Sequence, residues 1–462
     1  MKHTIKLLIL ISVLLTLTAC SSKSDFMKQD ALQAAGNYPQ AVKHARSFVD
    51  FNDSSARDNL LWELYLGQSQ YFDNNITATI GTFDEAERLM KYHRERILAI
   101  DLAKDLGALL SNDNTQPYIG NEYDGIMLNT YKALAYLKKN DFSGSRVEFN
   151  RLIDRQRRAK EFFAESMDKE REAQEKEHEN NNAIEQPSEN EENSHMQGVI
   201  NQSYPELNTY SVYPDFINPL SNYLAALFAL ANDDTSKAEF LLKETAAMLP
   251  DNKTIQEDYA NLDTIKDEAT VWVIYEDGLA PTLDEMRIDF PAWIFTSQVN
   301  VVSIALPRMH ERTAAFEYLE IRDGNKSISK TELLSSMEGV MKTEFKMKYP
   351  GIIKRAALSA VSKAVLQNAA NNTNNNWISL ATTLYTILST QADTRIWSAL
   401  PKNFHVARFK KEDLKSVDLY IPQGFKIKTI KLLNAKHSLI YVKIPTLAHK
   451  AHVSILPLGD SQ

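Results

Sequence analysis

The run Asn121-Glu122-Tyr123-Asp124 sets two carboxylates at the head of a helical pattern that continues through Met127, Leu128, Tyr131 and Ala135. Carboxylates that close together could act as a general acid and a general base. The same residues also suit a helix start, with Asn121 as N-cap and the acids against the positive end of the dipole; that structural role is the expectation. His449 and His452 have the spacing at which a helix could offer two ligands to one metal. They flank Lys450-Ala451 at the entry to a strand, where their side chains point apart, so no metal and no cofactor is expected. His44 and His93 each stand alone among charged neighbours and are expected on solvated faces. Arg146, Arg151, Arg155, Arg157, Arg158 and Lys160 could bind phosphates, but Phe149, Leu152 and Ile153 give that helix a core face. It also runs into an acidic stretch, so charge balance within the chain is the reading. Gly-x-Ser-x-Gly, His-Glu-x-x-His and glycine-rich phosphate-loop patterns are missing, and the chain is expected to be non-catalytic.

The residue with the most definite chemistry is Cys20, the one cysteine of the chain. Lys2, His3 and Lys6 precede an apolar run from Leu7 to Leu17, and the small residues Thr18 and Ala19 lead to the thiol. This is the form of a signal peptide, residues 1–19, and Leu17-Thr18-Ala19-Cys20 matches the bacterial lipobox. Cys20 is therefore expected to carry the lipid, a diacylglyceryl group and a further acyl chain such as palmitate. Two or three chains hold firmly because each buried methylene contributes roughly 0.8 kcal/mol. Ser21 and Ser22 follow where an aspartate would mark retention at the inner membrane. The expected location is the outer membrane, lipid-anchored and facing the periplasm. A single cysteine leaves no disulfide within one molecule. Loss of Lys2 and Lys6 with the leader moves the formal charge from −8 to −10, which argues against nucleic acid as a partner.

Residues 20–29 read as anchor and short tether, with a reach of roughly 30 Å at about 3.3 Å per residue. From Asp30 to Glu268 apolar residues recur at helical steps. Within that half, Gly36 to Ala41, Gly81 to Ala86, Asp141 to Ser145 and Asp233 to Ala238 look alike, each a turn entering a helix, the last followed by Leu242 and Pro250. This resembles the tetratricopeptide repeat, although Ala41, Ala86, Ser145 and Ala238 are not spaced at that repeat's period of about 34 residues. An irregular helical bundle is the other reading. Eleven acidic and three basic residues between Ala164 and Ser194 suggest a helix running past Lys160 and then a disordered loop at 180–194. A calcium site there lacks the EF-hand spacing.

Residues 269–462 change to strand patterns: Val271 to Tyr275, Val299 to Leu306, Phe316 to Ile321, Phe404 to Phe409, Val417 to Ile421, Lys426 to Leu432, Ser438 to Ile444 and His452 to Leu456. A helical insert over about 330–400 divides them, with helices at Lys330 to Met347, Lys354 to Ala370 and Trp377 to Thr390 joined by the asparagine run 371–376. The fold class expected is α+β: a tetratricopeptide-like helical domain followed by an antiparallel β-sandwich-like domain.

Four segments, Asn121 to Leu137, Val271 to Pro281, Ser303 to Pro307 and Ala392 to Pro401, together with the lipobox, resemble uncharacterised bacterial outer-membrane lipoproteins with a tetratricopeptide-like N-terminal half. The resemblance implies no catalytic residues. In the last segment Asp393 and Arg395 could pin the helical insert to the sandwich with Trp397 beneath, or Arg395 could bind a ligand. The functional expectation is an envelope scaffold whose helical groove holds a partner protein, in outer-membrane or peptidoglycan assembly. The alternatives are an envelope hydrolase using dispersed carboxylates, or a lipid or small-ligand carrier in the C-terminal domain.

Overall fold

The structure is a computed structural model that describes residues 23–53, 56–103, 116–179, 198–199, 201–209, 218–294, 299–371, 391–448 and 450–459. Helices come first: α1 (23–34), α2 (Tyr38–Arg46), α3 (Asn59–Phe72), α4 (Ile76–Ala103), α5 (Glu122–Lys138), α6 (Phe142–Glu179), α7 (Pro219–Ala231), α8 (Thr235–Met248), α9 (Lys253–Ala260) and α10 (Leu262–Asp267). Then follow β1 (Thr270–Asp277), β2 (Thr282–Pro291), β3 (Val301–His310), β4 (Glu320–Asp323), β5 (Lys326–Lys330) and β6 (Glu332–Ser336). A long helix α11 (Met337–Asn371) precedes β7 (Asn403–Lys410), β8 (Ser416–Tyr420), β9 (Lys426–Lys431), β10 (His437–Ile444) and β11 (His452–Pro457). The chain is thus α+β, with the helical part ahead of the sheets.

Local chemistry explains the helix boundaries. Asn37, Asp234 and Asn252 each offer a side-chain oxygen to a backbone N–H in the first turn of α2, α8 and α9, and Pro219 starts α7 where its missing N–H costs nothing. The four small residues of the repeat-like turns, Ala41, Ala86, Ser145 and Ala238, are all fully buried. Gly67 lets α3 and α4 approach: a Cβ there would stand 2.6 Å from the Phe83 ring.

The sheets form two layers beyond the helices. A five-stranded sheet has the order β11-β10-β1-β7-β6, a four-stranded one β5-β4-β8-β9, and β2 and β3 make a separate ribbon. Alternate residues of β1 divide between two cores. Trp272 and Ile274 join the helices, with Val406, Leu439 and Tyr441 beside them. Val271, Val273 and Tyr275 face Leu319, Ile321, Val417 and Leu419 of the second sheet. The five-stranded sheet is therefore covered on both faces, which is why β1 and β10 are buried along their whole length.

Several expectations need correction. The sheets are not wholly antiparallel, because β1 and β10 pair in parallel. β10 reaches β1 only after the chain has crossed the second sheet, and a crossover is what a parallel neighbour requires. Residues 330–336 extend as the end of β5 and as β6 rather than starting a helix, since β6 completes the edge beside β7. The two helices expected on either side of Pro350 are one, α11. A proline removes a backbone donor and strains the preceding turn. Met341, Phe345, Tyr349, Ile353 and Ala357, at four-residue steps, are all buried, and that stripe outweighs the local cost. β2 was not expected, although Met286, Ile288 and Phe290 alternate along it. Residues 23–29, expected as part of a tether, are already helical. Cys20, the 180–194 loop, His449, most of the asparagine run and the Trp377 to Thr390 helix lie outside the described residues.

Candidate functional site

All fourteen residues of α3 are buried, although several are polar. Asn59, Glu63 and Gln70 fall on one stripe of it, because intervals of four, seven and eleven residues return to nearly the same side of a helix. Above this stripe lies a groove with a volume of about 610 Å³. One wall is Arg46, at the end of α2, and the segment Asp50-Phe51-Asn52; the other is Ala78, Gly81, Thr82, Glu85 and Arg88 of α4.

The wall at Asp50 is held by hydrogen bonds. Asn59 Oδ1 accepts from the Asp50 N–H at 2.8 Å, and its Nδ2 donates to the Asp50 carbonyl at 3.3 Å. The Asp50 carboxylate in turn accepts from the N–H groups of Asn52 and Asp53 at 2.8 and 3.0 Å. Phe51 is left 75% exposed at the rim. On α4, Arg88 chelates Glu85. Gly81 has no packing reason to be glycine, since a Cβ there meets nothing within 4 Å, while a glycine inside a helix costs about 1 kcal/mol relative to alanine. Its effect is a low wall.

The floor has two unusual groups. Gln70 is fully buried, and neither its Oε1 nor its Nε2 has a hydrogen-bond partner. Glu63 is pushed up to about 7, chiefly by burial, with Glu85 adding and Arg46 opposing. Glu85 is shifted the other way by its hydrogen bond from Arg88. The sign of the Glu63 effect on stability follows. The folded chain holds this proton between about pH 4.5 and 7, where the unfolded chain has released it, so stability falls as pH rises through that window and levels off above it. Glu63→Gln is therefore expected to raise the melting temperature at about pH 8 and leave it unchanged near pH 4.5. Equal shifts at both pH values would show that Glu63 is ionised in the folded chain.

The residues singled out in the sequence are dispersed elsewhere. Glu122 pairs with Arg94 at 2.6 Å. Asp124 instead accepts from the Asn121 N–H at 2.7 Å and from the Tyr118 hydroxyl at 2.6 Å. Burial raises it to about 7 against those hydrogen bonds. The N-terminus of α5 is capped from outside, by Glu344 of α11, which accepts from the N–H groups of Glu122 and Tyr123 at 2.9 and 3.3 Å. The arginines of α6 pair within the chain: Arg151 and Arg155 with Glu87, and Arg157 and Arg158 with Asp154. Burial works against charge on Glu87, but Lys132, Arg155 and Arg151 together draw it down to about 2. His93 is buried, not solvated, and His44 meets Gln29 at 3.0 Å. His452 packs edge-on against Phe72, and burial lowers it to about 4. Among the described residues no group of three or more acidic, histidine or cysteine side chains could hold a metal, and no helix is long and apolar enough to cross a membrane.

Arg395 binds both Asp393, at 2.7 Å, and Asp58, at 3.0 Å, just before α3. It thus ties residues 391–400 to the helical layer. The groove was not read from the sequence; the signal available was a run of polar residues, Gln68-Ser69-Gln70, shortly after the mainly apolar stretch Leu60 to Leu66 of a helix buried along its whole length. No protein-family description, curated protein or solved structure matches the chain.

Proposed function

We propose that the chain is a lipid-anchored scaffold of the cell envelope that holds a partner protein in the groove over α3. In this reading the chain resembles uncharacterised outer-membrane lipoproteins, its helices pair in the manner of tetratricopeptide units, and the two sheets pack as a β-sandwich. Lipid on Cys20 holds it at the outer membrane on the periplasmic side, where it serves outer-membrane or peptidoglycan assembly without catalysis. The observation that carries the reading is an open groove of about 610 Å³ between α2 and α4 over the buried polar stripe of α3, with Phe51 exposed at its rim. Phe26 of α1 stacks on Trp62 of α3 with ring centroids 4.4 Å apart. The helix nearest the anchor thus rests on the helix that floors the groove, and a partner would be held close to the membrane. The test is photocrosslinking in living cells from Phe51 at the rim, with the equally exposed Phe425 turn as the control. One discrete adduct from Phe51 and none from Phe425 is expected; no adduct, or the same adducts from both, overturns the reading.

One observation favours a second reading, an envelope hydrolase. Glu63 and Glu85 share the groove with their acidities displaced in opposite directions, an arrangement found where one carboxyl donates a proton and another stays charged. Purified protein that releases no fragments from peptidoglycan, and does so no better than Glu63→Gln, removes it.

A further inference from the structure

We propose that the end of the β-layers bearing the β8–β9 turn and the β10–β11 loop docks on an anionic phospholipid surface, with Phe425 and Leu447 entering it and Lys428 and Lys450 meeting its phosphates. Which membrane this is rests on the location proposed above; the docking itself makes no use of Cys20. The strands that form this end are charged unlike the rest of the chain. Between Lys402 and Lys450 stand eleven lysines and arginines against three acids, a formal +8 in a chain of −8 overall. A basic stretch in an acidic chain points to an anionic surface as its partner. Lys402, Arg408, Lys410 and Lys443 pair with acids of other elements, and Lys426 pairs with Asp418 at 3.2 Å. Lys428 and Lys450 are exposed and have no acid partner among the described residues.

The sheet register brings these groups to one end. β1 and β10 finish side by side at Asp277 and Ile444, and Lys443 pairs with His452, so the β10–β11 loop leaves the five-stranded sheet there. β7 ends and β10 begins at the opposite end, beside Thr270. The links from β7 into β8 and from β9 into β10 lie at that opposite end, so the turn between β8 and β9 falls at the same end as the β10–β11 loop. His452 shows how near the two layers come: burial, Lys138 of α5, Lys428 of β9 and Lys443 all lower it, to about 4. Phe425 and Leu447 are 71% and 66% exposed, and each stands three positions ahead of its lysine. An apolar tip with a cation behind it matches the order of a bilayer surface, where acyl chains lie beneath the phosphates. An acidic protein surface offers the charge without the hydrocarbon. Thr446 donates to the Ala34 carbonyl at 3.2 Å, so the loop rests against the C-terminal end of α1, the helix that follows Cys20 in the chain.

The test mixes the full chain with vesicles of phosphatidylcholine alone, or of phosphatidylcholine and phosphatidylglycerol in equal parts. An environment-sensitive fluorescent amino acid replaces Phe425 or, as the control, the exposed Phe240 of α8. A blue shift from position 425 is expected only where phosphatidylglycerol is present, and none from position 240. Lys428→Gln with Lys450→Gln should lower the ratio of docked to undocked chain about twenty-fivefold, at about fivefold for each lysine near an anionic surface. Raising the salt from about 0.1 M to about 1 M, which shortens the Debye length from about 10 to 3 Å, should reduce the shift. Both lysines are exposed and unpaired, so the double variant should melt with the parent, and loss of fold is then not the cause. Equal shifts on the two vesicles, an equal shift from position 240, a shift unchanged in the double variant, or no shift overturn the proposal. The same vesicles separate this failure from that of the anchor. A chain held on both vesicle types with a silent label at 425 keeps the anchored scaffold and loses the docking. A chain free of phosphatidylcholine that still shifts with phosphatidylglycerol keeps the docking and loses the anchor.

Discussion

Lys443→Met is expected to destabilise the fold by about 3–5 kcal/mol, the range for breaking a buried ion pair from one side. Lys443 of β10 and Glu276 of β1 are register partners in the parallel pair. Their charged atoms lie 2.6 Å apart, and both side chains are fully buried. They occupy the face of the sheet that the helices cover. Tyr131, reaching from α5, donates to Glu276 at 2.9 Å, Tyr441 donates to the same oxygen, and the Lys443 ammonium sits 4.8 Å from the centre of the Phe72 ring. Burial lowers the Lys443 pKa, with Glu276 opposing. Methionine at 443 would leave a carboxylate in the core with two phenols and no cation. The double change Glu276→Leu with Lys443→Met removes both charges and should recover most of the loss, because the pair's attraction largely repays its own desolvation. Urea unfolding of the two single variants and the double variant measures this. A single-variant loss below about 1 kcal/mol would mean that water reaches the pair and the helices do not seal this face.

The second large effect is Trp397→Ala, with an expected loss of about 3–5 kcal/mol. Trp397 belongs to no helix or strand, yet it is fully buried. Its ring centre lies 6.1 Å from Tyr131 and 6.3 Å from Phe83. Its Nε1 donates to Gln68 Oε1 at 3.0 Å, and Gln68 donates onward to the Ala399 carbonyl at 2.9 Å. Around it the irregular segment is fastened at several points. Ser398 donates to Asp30 of α1 at 2.6 Å, Arg395 holds Asp58, and the Leu400 carbonyl accepts from the Ala280 N–H at 2.6 Å. Trp397→Phe keeps most of the volume but strands the Gln68 acceptor, so about 1–3 kcal/mol is expected for it. Calorimetry on the two variants checks the order. An unchanged transition for Trp397→Ala would show that residues 391–400 are not what joins helices to sheet.

Part of this architecture was legible along the chain. The eight strand patterns from Val271 to Leu456 each have a counterpart in the structure, with bounds shifted by a few residues. Asn121 and Asp124 do meet at the start of α5, where the Asp124 carboxylate accepts the Asn121 N–H. Arg151, Arg157 and Arg158 of α6 find acids at three and four residues' distance on their own helix. In all of these the physical cause is local: a period of two or of about 3.6 sorts side chains by face, and helix neighbours meet at fixed spacing. Where burial elsewhere overrode a local signal, the expectation failed, as at Pro350 in α11 and at β6.

Read alone, the order of residues determined the division into a helical part and a strand part, and the core face of α6 at Phe149 and Leu152. Only the tertiary structure decided that β1 and β10 run in parallel, that Glu276 meets Lys443 across 167 positions, that Glu344 caps a helix 222 positions earlier, and that α2, α3 and α4 leave a groove above Gln70. Hydrophobic periodicity tells a side chain which way to face, because burial is a property of direction. It carries no information about which distant group will be met there. That is set by how whole layers pack, and a polar residue in a core declares its partner only once the layers have closed.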